Sequence, residues 1–359
     1  MAAMEFPPRG RPTRRIDPAA LRALMLGLLR AVGCPQDIAE IAAEVHWEAD
    51  LRGHHIQGLD HMTELVGNIR AGRIDPEGRP ELVRDGPAWA QISGHNGLGH
   101  PAGLLAAATA VEKAGGAGVA VIGVKDSADI FLVGYYAEMI ARAGFAAVVT
   151  TNVPPHVHPF GGAEAVLGTN PIAFAFPTAG ADPVIFDMAT SVVAASHIRQ
   201  AAYDGSPIPE GIGVGPDGRP STDPKIVEKG SIGSMAGHRG SGLALCLGLL
   251  SGPLVGAATG KALDSWLGRD VPHKGLGHFL LAVDPGIFGD VDTFRAAVEA
   301  HLGEIRGARR AEGMEHVLVP GDRLFETRAR SLAEGVTMYE NVWREAAKLA
   351  STLGVEMPA

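Results

Sequence analysis

The sequence has few of the features that mark secreted or membrane proteins. It contains two cysteines, Cys34 and Cys246, too few for a disulfide framework, and the apolar residues around Cys246 predict that this thiol is buried. The longest apolar run, Leu243–Leu250, is too short to span a bilayer. Residues 1–15 are rich in Pro and Arg and lack the apolar core of a signal peptide. These absences predict a cytoplasmic protein that has no membrane partner.

The overall charge excludes another class. The 359 residues carry a formal net charge of −9, which argues against a nucleic-acid-binding surface. Hydrophobic residues make up 46% of the chain and charged residues 20%, an ordinary balance for a globular protein with a large core. The 48 glycines predict many tight turns or close backbone contacts.

Helix signals dominate the N-terminal part of the chain. Asp17 followed by Pro18 is typical of a helix start, and the apolar spacing predicts a helix that reaches about Val32. Two further helices are predicted, one ending at Gly53 and one over residues 58–71. This region is therefore expected to be helical.

Farther along, apolar runs alternate with helical patterns. The runs at residues 118–124 and 145–151 predict buried strands, and a helix is predicted between them over residues 131–143. A strand, a helix and a second strand in this order are typical of an α/β protein. Helices are predicted again near the C-terminal end, after Asp292 and Ala329.

The stretch Leu167–Ser191 is the most informative part of the sequence. Residues 172–176 alternate larger and smaller apolar side chains, which predicts a strand that Pro177 ends. Val184–Phe186 predicts a second strand. Asp187 follows at the position of a helix N-cap, and the small residues after it leave backbone N–H groups that a ligand can approach.

Several segments resemble the type-2 malate/L-lactate dehydrogenase family, whose members include ureidoglycolate dehydrogenase and cyclic imino-acid reductases. The matching segments, in family order, are DLRG at Asp50–Gly53, GYYAE at Gly134–Glu138, PFGG at Pro159–Gly162, LGTNP at Leu167–Pro171, DMATS at Asp187–Ser191, IPEG at Ile208–Gly211, TDP at Thr222–Pro224, GHRG at Gly237–Gly240 and VPGD at Val319–Asp322. The resemblance covers nearly the whole chain. It implies an NAD(P)-dependent oxidoreductase that acts on a small molecule and forms a homodimer with its sites near the interface.

The resemblance also implies the fold and its organisation. The expected fold is α/β and not a Rossmann fold: a central sheet, with N-terminal and C-terminal helical regions packed together. The predicted organisation is a disordered tail over residues 1–15, a helical region over 16–75, an α/β core with the cofactor and substrate sites over 76–290, and returning helices over 291–359.

Three matching segments imply where the cofactor, NAD or NADP, binds. The implied contacts are Asp187, Met188, Ala189, Thr190, Arg239, Pro320, Gly321 and Asp322. Arg239 stands where most relatives have Lys; either cation neutralises a phosphate, and the apolar helix that follows adds its dipole. Val153 replaces the Ser that commonly follows the Thr-Asn pair, which predicts the loss of one hydrogen bond, on the order of 1 kcal/mol.

The residues that carry the family's acid–base chemistry are replaced in this chain. The family has a Ser-His-Gly-x-x-Arg turn, in which the Arg holds the substrate carboxylate; here Gln57 stands at the His and His61 at the Arg. The family also has Ser-Asn-His-Phe-Gly, where Asp129 stands at the His and Phe131 at the Gly. The spacing is unshifted, so these are substitutions. We therefore expect a substrate range other than malate and lactate.

A rebuilt acid–base site is one interpretation of these substitutions. The catalytic candidates are Asp129, His61, Gln57, His156 and His158. Asp129 is expected at the N-terminus of a helix, which favours its ionised form, and to act through a paired histidine. The available histidines are His54, His55, His61, His156 and His158, of which His156 or His158 is favoured.

Other interpretations stay open. His-x-His with a further His and Asp is also typical of metal ligands, although no metal site is assigned. The alternative functions are a non-redox or metal-assisted reaction in the same pocket, and a cofactor-binding protein without catalysis. The histidines are equally compatible with a role as ordinary loop residues.

Overall fold

A seven-stranded mixed sheet crosses the molecule in the computed structural model, which describes residues 12–263 and 274–358. In spatial order its strands are β2 (Glu81–Gly86), β3 (Trp89–Ser93), β4 (Val119–Ser127), β10 (Leu276–Val283), β5 (Ala146–Thr151), β6 (Ile172–Phe176) and β7 (Val184–Met188). β3 and β4 run parallel, and the other neighbouring strands are antiparallel. Two short ribbons pair β1 (Thr13–Ile16) with β11 (Val336–Tyr339), and β8 (Gly213–Val214) with β9 (Ser231–Ile232).

Some helices pack against this sheet, and the N-terminal helices form a separate layer together with a C-terminal one. The helices are α1 (Pro18–Ala31), α2 (Gln36–Leu51), α3 (Met62–Arg70), α4 (Gly99–Ala117), α5 (Val133–Arg142), α6 (Ala195–Asp204), α7 (Pro224–Lys229), α8 (His238–Ser251), α9 (Val291–Arg306), α10 (Asp322–Glu334) and α11 (Glu340–Leu353). Within residues 12–263 and 274–358, no helix is both long enough and apolar enough to cross a membrane.

Local signals explain where several of these elements begin and end. The Asp17 carboxylate accepts a 2.8 Å hydrogen bond from the N–H of Ala20, and Pro18 opens α1, as predicted. β6 covers the predicted residues 172–176, and Pro177 follows it. The predicted strands at 118–124 and 145–151 correspond to β4 and β5.

The N-terminal and C-terminal helices share one hydrophobic core, as the resemblance implies. Leu21 and Leu28 of α1 lie in this core together with Met62 of α3 and with Val342 and Trp343 of α11. Burying such side chains contributes roughly 1.5–3 kcal/mol each. A second core fills the space between the sheet and the helices α4 and α5.

Buried ion pairs join three of these helices. Arg52, just after α2, contacts Glu48 of α2 and Glu138 of α5 at 2.8 and 2.5 Å, and its side chain is 4% exposed. Arg328 of α10 binds the same Glu48 at 2.7 Å. The two arginines outweigh burial, which alone would raise the pKa of Glu48, and the pKa is lowered.

Two predictions, one for residues 1–15 and one for Cys246, are wrong. Residues 1–11 of the predicted tail lie outside the described residues, but 13–15 are ordered in β1, because β11 supplies backbone partners and Glu340 pairs with Arg14. Cys246 is exposed, because α8 packs only one of its apolar sides against the chain. Leu245 and Leu249 lie on the exposed side of this helix.

Candidate functional site

One cavity of about 270 Å³ brings together residues that are far apart in sequence. Four of the five catalytic candidates line it: Gln57, His61, Asp129 and His156. Residues 187–189, which the resemblance implies as cofactor contacts, form another part of its wall. The cavity lies where the turn before α3, the loop before α5, the end of β7 and the start of α6 meet.

The structure places the remaining histidines differently. His158 does not line this cavity, and its Nδ1 lies 2.8 Å from the hydroxyl oxygen of Ser231. The Nδ1–H of His156 donates a 2.7 Å hydrogen bond to the carbonyl of Pro154. His55 lies 2.9 Å from the buried carboxylate of Asp50, and His54 lines the cavity. The histidine charge that acts on Asp129 is that of His61.

The backbone around Asp129 is held by α4. Gly99, the first residue of α4, lies so close that a Cβ on it would stand 2.2 Å from the carbonyl oxygen of Asp129. Gly is required there because backbone packs directly on backbone. This packing fixes the backbone at Asp129, a residue that lines the cavity.

Asp129 differs from the sequence expectation in its electrostatics. It does not lie at the N-terminus of a helix, because α5 begins only at Val133. Burial raises the pKa of the Asp129 carboxyl above its ordinary value, and the charge of Lys274 only partly opposes this rise. The protonated form of Asp129 is therefore favoured more than in an exposed aspartate.

Asp187 takes the position at α5 that was expected of Asp129. Its carboxylate accepts a 2.7 Å hydrogen bond from the N–H of Gly134, in the first turn of that helix. The prediction that Asp187 is itself a helix N-cap is wrong, because β7 continues to Met188 and Asp187 pairs with Ala173 of β6. Burial raises the pKa of Asp187 to about 6, although the Gly134 N–H acts against this.

A charged cluster forms the wall beside His61. The Nδ1 of His61 and the guanidinium of Arg199 each lie 3.4 Å from the same oxygen of Glu64, Oε2. Burial alone would raise the pKa of Glu64, but these neighbours and the charge of Lys274 outweigh it and lower the pKa to about 2. Glu64 is therefore ionised near neutral pH.

Hydrogen bonds hold both the side chain and the backbone of Gln57. Its side-chain N–H donates a 3.1 Å hydrogen bond to the backbone carbonyl of Phe131. Its backbone carbonyl accepts a 2.7 Å hydrogen bond from the Nδ1–H of His46. Burial lowers the pKa of His46 to about 3, so this ring is neutral at physiological pH. Gln57 therefore lies in the wall with its backbone and its amide both positioned.

Phe131 gives this wall an apolar, aromatic surface. Its φ of 60° is the left-handed conformation that favours glycine, and Gly is the residue at this position in the family motif. The ring stacks on His100 at a centroid distance of 5.1 Å with an interplanar angle of 8°. Such strain persists only where the surroundings hold it, and it is common at functional sites.

The implied cofactor segments at Thr190 and Arg239 are adjacent through backbone pairing. The N–H and the hydroxyl of Thr190 both donate to the carbonyl of Thr169 at 2.8 Å, and the carbonyl of Thr190 accepts from the N–H of Met235. Arg239 is exposed in the first turn of α8, whose N-cap Gly237 provides no side-chain cap. A basic residue at an uncapped helix N-terminus is a favourable place for a phosphate.

The third implied cofactor segment lies at the other end of β7. Pro320, Gly321 and Asp322 line a separate cavity of about 290 Å³ together with Pro183. The carboxylate of Asp322 is engaged within the chain: it binds the guanidinium of Arg306 at 2.8 Å and accepts from the N–H of Val319 at 3.0 Å. Val184, at the start of β7, lines this cavity, and Asp187 and Met188, at its end, line the cavity that holds Asp129.

Sequence reasoning missed three charged residues of the site. Glu64, Arg199 and Lys274 line the cavity but belong to no segment of the family resemblance. Each stands in a separate part of the chain, so only the fold brings them together. Among the residues that the structure describes, no group of three or more His, Cys, Asp or Glu side chains is arranged to hold a metal ion.

Comparisons with known proteins identify the family and the fold of the chain. A model of the malate/L-lactate dehydrogenase family matches residues 16–346. The L-sulfolactate dehydrogenase of Methanothermobacter thermautotrophicus is 34% identical over 345 residues, which cover 96% of this chain and 98% of that protein. A delta(1)-pyrroline-2-carboxylate reductase of Pseudomonas fluorescens is 34% identical over 328 residues, 88% of this chain and 92% of that protein.

A solved structure is similar over the same length. The sulfolactate dehydrogenase from Methanocaldococcus jannaschii superposes with a TM-score of 0.86 at 31% identity, and the match covers 96% of this chain and 98% of that one. The fold predicted from the sequence is therefore confirmed, including the central sheet and the packed terminal helices.

Proposed function

The chain belongs to the malate/L-lactate dehydrogenase family, and from this premise we propose that it is an NAD(P)-dependent oxidoreductase of altered substrate range. Its reaction is hydride transfer to or from a small oxo, hydroxy or imino compound. The observation that carries the proposal is the shared cavity: Asp129, with its raised pKa, lines the same cavity as residues 187–189.

The residues present fit a dinucleotide. Residues 187–189 line the cavity, where Ala189 adds little side-chain bulk, whereas Thr190 is fully buried and does not line it. Arg239 at the uncapped start of α8 suits a phosphate. Pro320 and Gly321 border the second cavity, where backbone is open beside β7. The contact proposed for Asp322 is indirect, because its carboxylate holds the turn that presents Gly321. When bound, the nicotinamide supplies or accepts the hydride.

Asp129 is the proposed proton carrier. In the reducing direction a proton on a carboxyl oxygen of Asp129 passes to the substrate oxygen or nitrogen, and the same oxygen takes the proton back in the oxidising direction. The charge of His61 acts to lower the pKa of this carboxyl group, against the effect of burial. Gln57 is held by Phe131 and His46. An amide does not exchange a proton near neutral pH, so the role of Gln57 is to position the substrate through hydrogen bonds.

The same substitutions argue for a substrate other than malate or lactate. His61 replaces the Arg that holds the substrate carboxylate in the resembled family, and an imidazole cannot form the two parallel hydrogen bonds that a guanidinium makes to a carboxylate. An imino compound needs less assistance than an oxo compound, because an iminium carbon already attracts hydride. The pyrroline-2-carboxylate reductase among the relatives is consistent with this substrate class.

We also propose a homodimer with the sites near its interface. The side chains of Leu245 and Leu249 on α8 are 50% and 49% exposed, and Leu254 after the helix is 64% exposed. An apolar face of this kind is typical of a surface that another protein covers. Arg239 lies in the first turn of the same helix, which supports a cofactor site close to that interface.

The proposal is tested in two steps with the purified protein. Fluorescence titrations with NADH and with NADPH determine whether either nucleotide binds. A hydride-transfer assay with delta(1)-pyrroline-2-carboxylate and a panel of 2-oxo acids then measures turnover. Asp129→Asn should lower kcat by roughly a hundredfold or more while the Kd of the nucleotide stays unchanged. Undetectable binding of both nucleotides, or full activity of Asp129→Asn, would contradict the proposal.

The oligomeric state is tested separately by sedimentation. The wild-type chain should sediment as a dimer, and Leu245→Asp should shift it towards the monomer. Leu332→Asp, at an exposed leucine of α10, is the matched control and should leave the dimer intact. A wild-type monomer would contradict the homodimer.

A further inference from the structure

Two basic side chains outside the family motifs line the cavity. Arg199 lies on α6 and Lys274 lies just before β10, so the fold brings them together from distant parts of the chain. Arg199 lies 3.4 Å from Glu64, and Lys274 acts on the charge of the same carboxylate. The Lys274 side chain is buried, with the residue 4% exposed. A buried cation in a cavity wall is a strong electrostatic feature, because little water screens it.

The position of Arg199 is informative. Its guanidinium and the Nδ1 of His61 both approach the Oε2 of Glu64 at 3.4 Å. The wall that His61 occupies therefore has an arginine after all, but one that comes from α6. Guanidinium groups bind carboxylates through two parallel hydrogen bonds, which an imidazole cannot form.

The arrangement around Asp129 indicates what kind of anion fits. Among the charges that act on Asp129, that of Lys274 has the largest effect. A site for an anion and an acid for proton transfer are thus neighbours in the same cavity. In a 2-oxo or 2-imino acid the carboxylate is bonded directly to the carbon that accepts hydride, so that carboxylate and the reacting oxygen or nitrogen need neighbouring partners.

We propose that Arg199 and Lys274 form the binding site for the carboxylate of a small 2-oxo or 2-imino acid, an inference that rests on the proposed oxidoreductase function. Glu64 acts as a positioning residue that holds Arg199 against this wall. The apolar part of the acid then faces Ile56 and Phe131, which line the same cavity. Simple hydroxy compounds without a carboxylate are poor ligands of this site.

Oxamate and oxamide test the proposal without knowledge of the natural substrate. Oxamate resembles a small 2-oxo acid and carries one carboxylate, whereas oxamide has the same size and no charge. Both are titrated into the wild-type protein by calorimetry, with and without saturating NADH. Oxamate should bind at least about tenfold more tightly than oxamide, the effect of one charge-assisted hydrogen bond.

Variants assign this preference to Arg199. Arg199→Ala should weaken oxamate binding by roughly ten- to a hundredfold and leave oxamide binding and the Kd of NADH unchanged. Arg199→Lys keeps the charge and should recover part of the affinity. Arg219→Ala is the matched control, because the Arg219 side chain is 87% exposed on a distant loop. Arg219→Ala should bind oxamate as the wild-type protein does.

The outcomes separate this inference from the proposed function. Equal affinities of the wild-type protein for oxamate and oxamide, or oxamate binding that Arg199→Ala leaves unchanged, would overturn the carboxylate site even if NADH binds and hydride transfer is observed. A protein that binds oxamate through Arg199 but binds neither NADH nor NADPH would retain this site and contradict the oxidoreductase.

Discussion

The carboxylate of Asp187 accepts a 2.7 Å hydrogen bond from the backbone N–H of Gly134 and so joins the edge strand β7 to the first turn of α5. A Cβ on Gly134 would lie 3.0 Å from the same carboxylate oxygen, so glycine is what allows the contact. The strand end that lines the cavity and the helix beside Asp129 are thereby held together. This polar contact adds to the apolar packing of Ile185 of β7 and Val133 of α5, which lie in the same core.

Asp187 should make stability depend on pH between about 4 and 6. Its pKa is about 6 in the folded protein against an ordinary value of 3.8, so the folded state holds the proton more tightly and loses stability as the pH rises through this range. Asp187→Asn keeps an oxygen for the Gly134 N–H and does not titrate. Relative to wild type, the variant should gain about 1–3 kcal/mol between pH 4 and pH 7 in urea unfolding.

A matched control is Asp217→Asn, because Asp217 is an exposed loop residue. Its stability should differ from that of wild type by the same small amount at every pH. If the curves of Asp187→Asn and the wild-type protein run parallel from pH 4 to pH 7, Asp187 is not the group that titrates.

Arg239 should contribute to nucleotide affinity. Arg239→Ala removes the exposed cation at the start of α8 and should weaken NADH or NADPH binding by about 1.5–3 kcal/mol, the size of a hydrogen bond to a charged group. The measurement is a fluorescence titration at constant ionic strength, with Arg219→Ala as the control for loss of one surface charge. Equal Kd values for Arg239→Ala and the control would remove Arg239 from the proposed cofactor site.

Malate and lactate should be poor substrates. Gln57 and His61 stand where the resembled family has its histidine and its carboxylate-binding arginine, so these two acids meet a differently placed acid and cation in this cavity. A general acid–base group contributes roughly a hundred- to ten-thousandfold in rate only where its geometry suits the substrate. Oxidation of each acid is followed at 340 nm with NAD and with NADP, on protein shown to bind the nucleotide. Robust turnover of either acid would contradict this prediction and the altered substrate range.

The buried ion pairs of Glu48 should stabilise the packing of α2, α5 and α10. Glu48→Ala leaves Arg52 without one of its carboxylates in a buried place, and such a change costs about 3–5 kcal/mol in the free energy of unfolding. Glu345→Ala is the control, because its pair with Lys348 is exposed and such pairs contribute about 0–1 kcal/mol. Urea unfolding of both variants at pH 7 provides the comparison, and equal losses would contradict the prediction.

Local patterns were sufficient for most of the fold. The alternation of residues 172–176 and the proline after them predicted β6 to the residue, because side-chain period and chain termination are local properties. The end of β7 was mistaken, because Asp187 looks like a helix cap in sequence and is kept in the strand by its pairing with Ala173. The helix α6 went unnoticed, since no capping side chain marks its start.

The candidate site was predictable only where a motif carried it. Asp129, Gln57 and His61 stood out because they occupy known motif positions, and the cavity contains all three. Glu64 and Arg199 lie 135 positions apart, and nothing in either neighbourhood relates them. His158 was one of the two favoured histidines, yet its ring pairs with Ser231, and that contact depends on how the chain returns at β9.

The ribbon of β1 and β11 pairs residues 13–16 with residues 336–339, so two strands more than 300 positions apart in sequence supply each other's backbone hydrogen bonds. The core around Leu21 and Leu28 likewise closes only with Val342 and Trp343. On the ribosome, the N-terminal helices emerge long before these partners exist. Contacts of such high sequence separation slow folding, so the N-terminal layer reaches its native packing only after synthesis of the chain has passed α11.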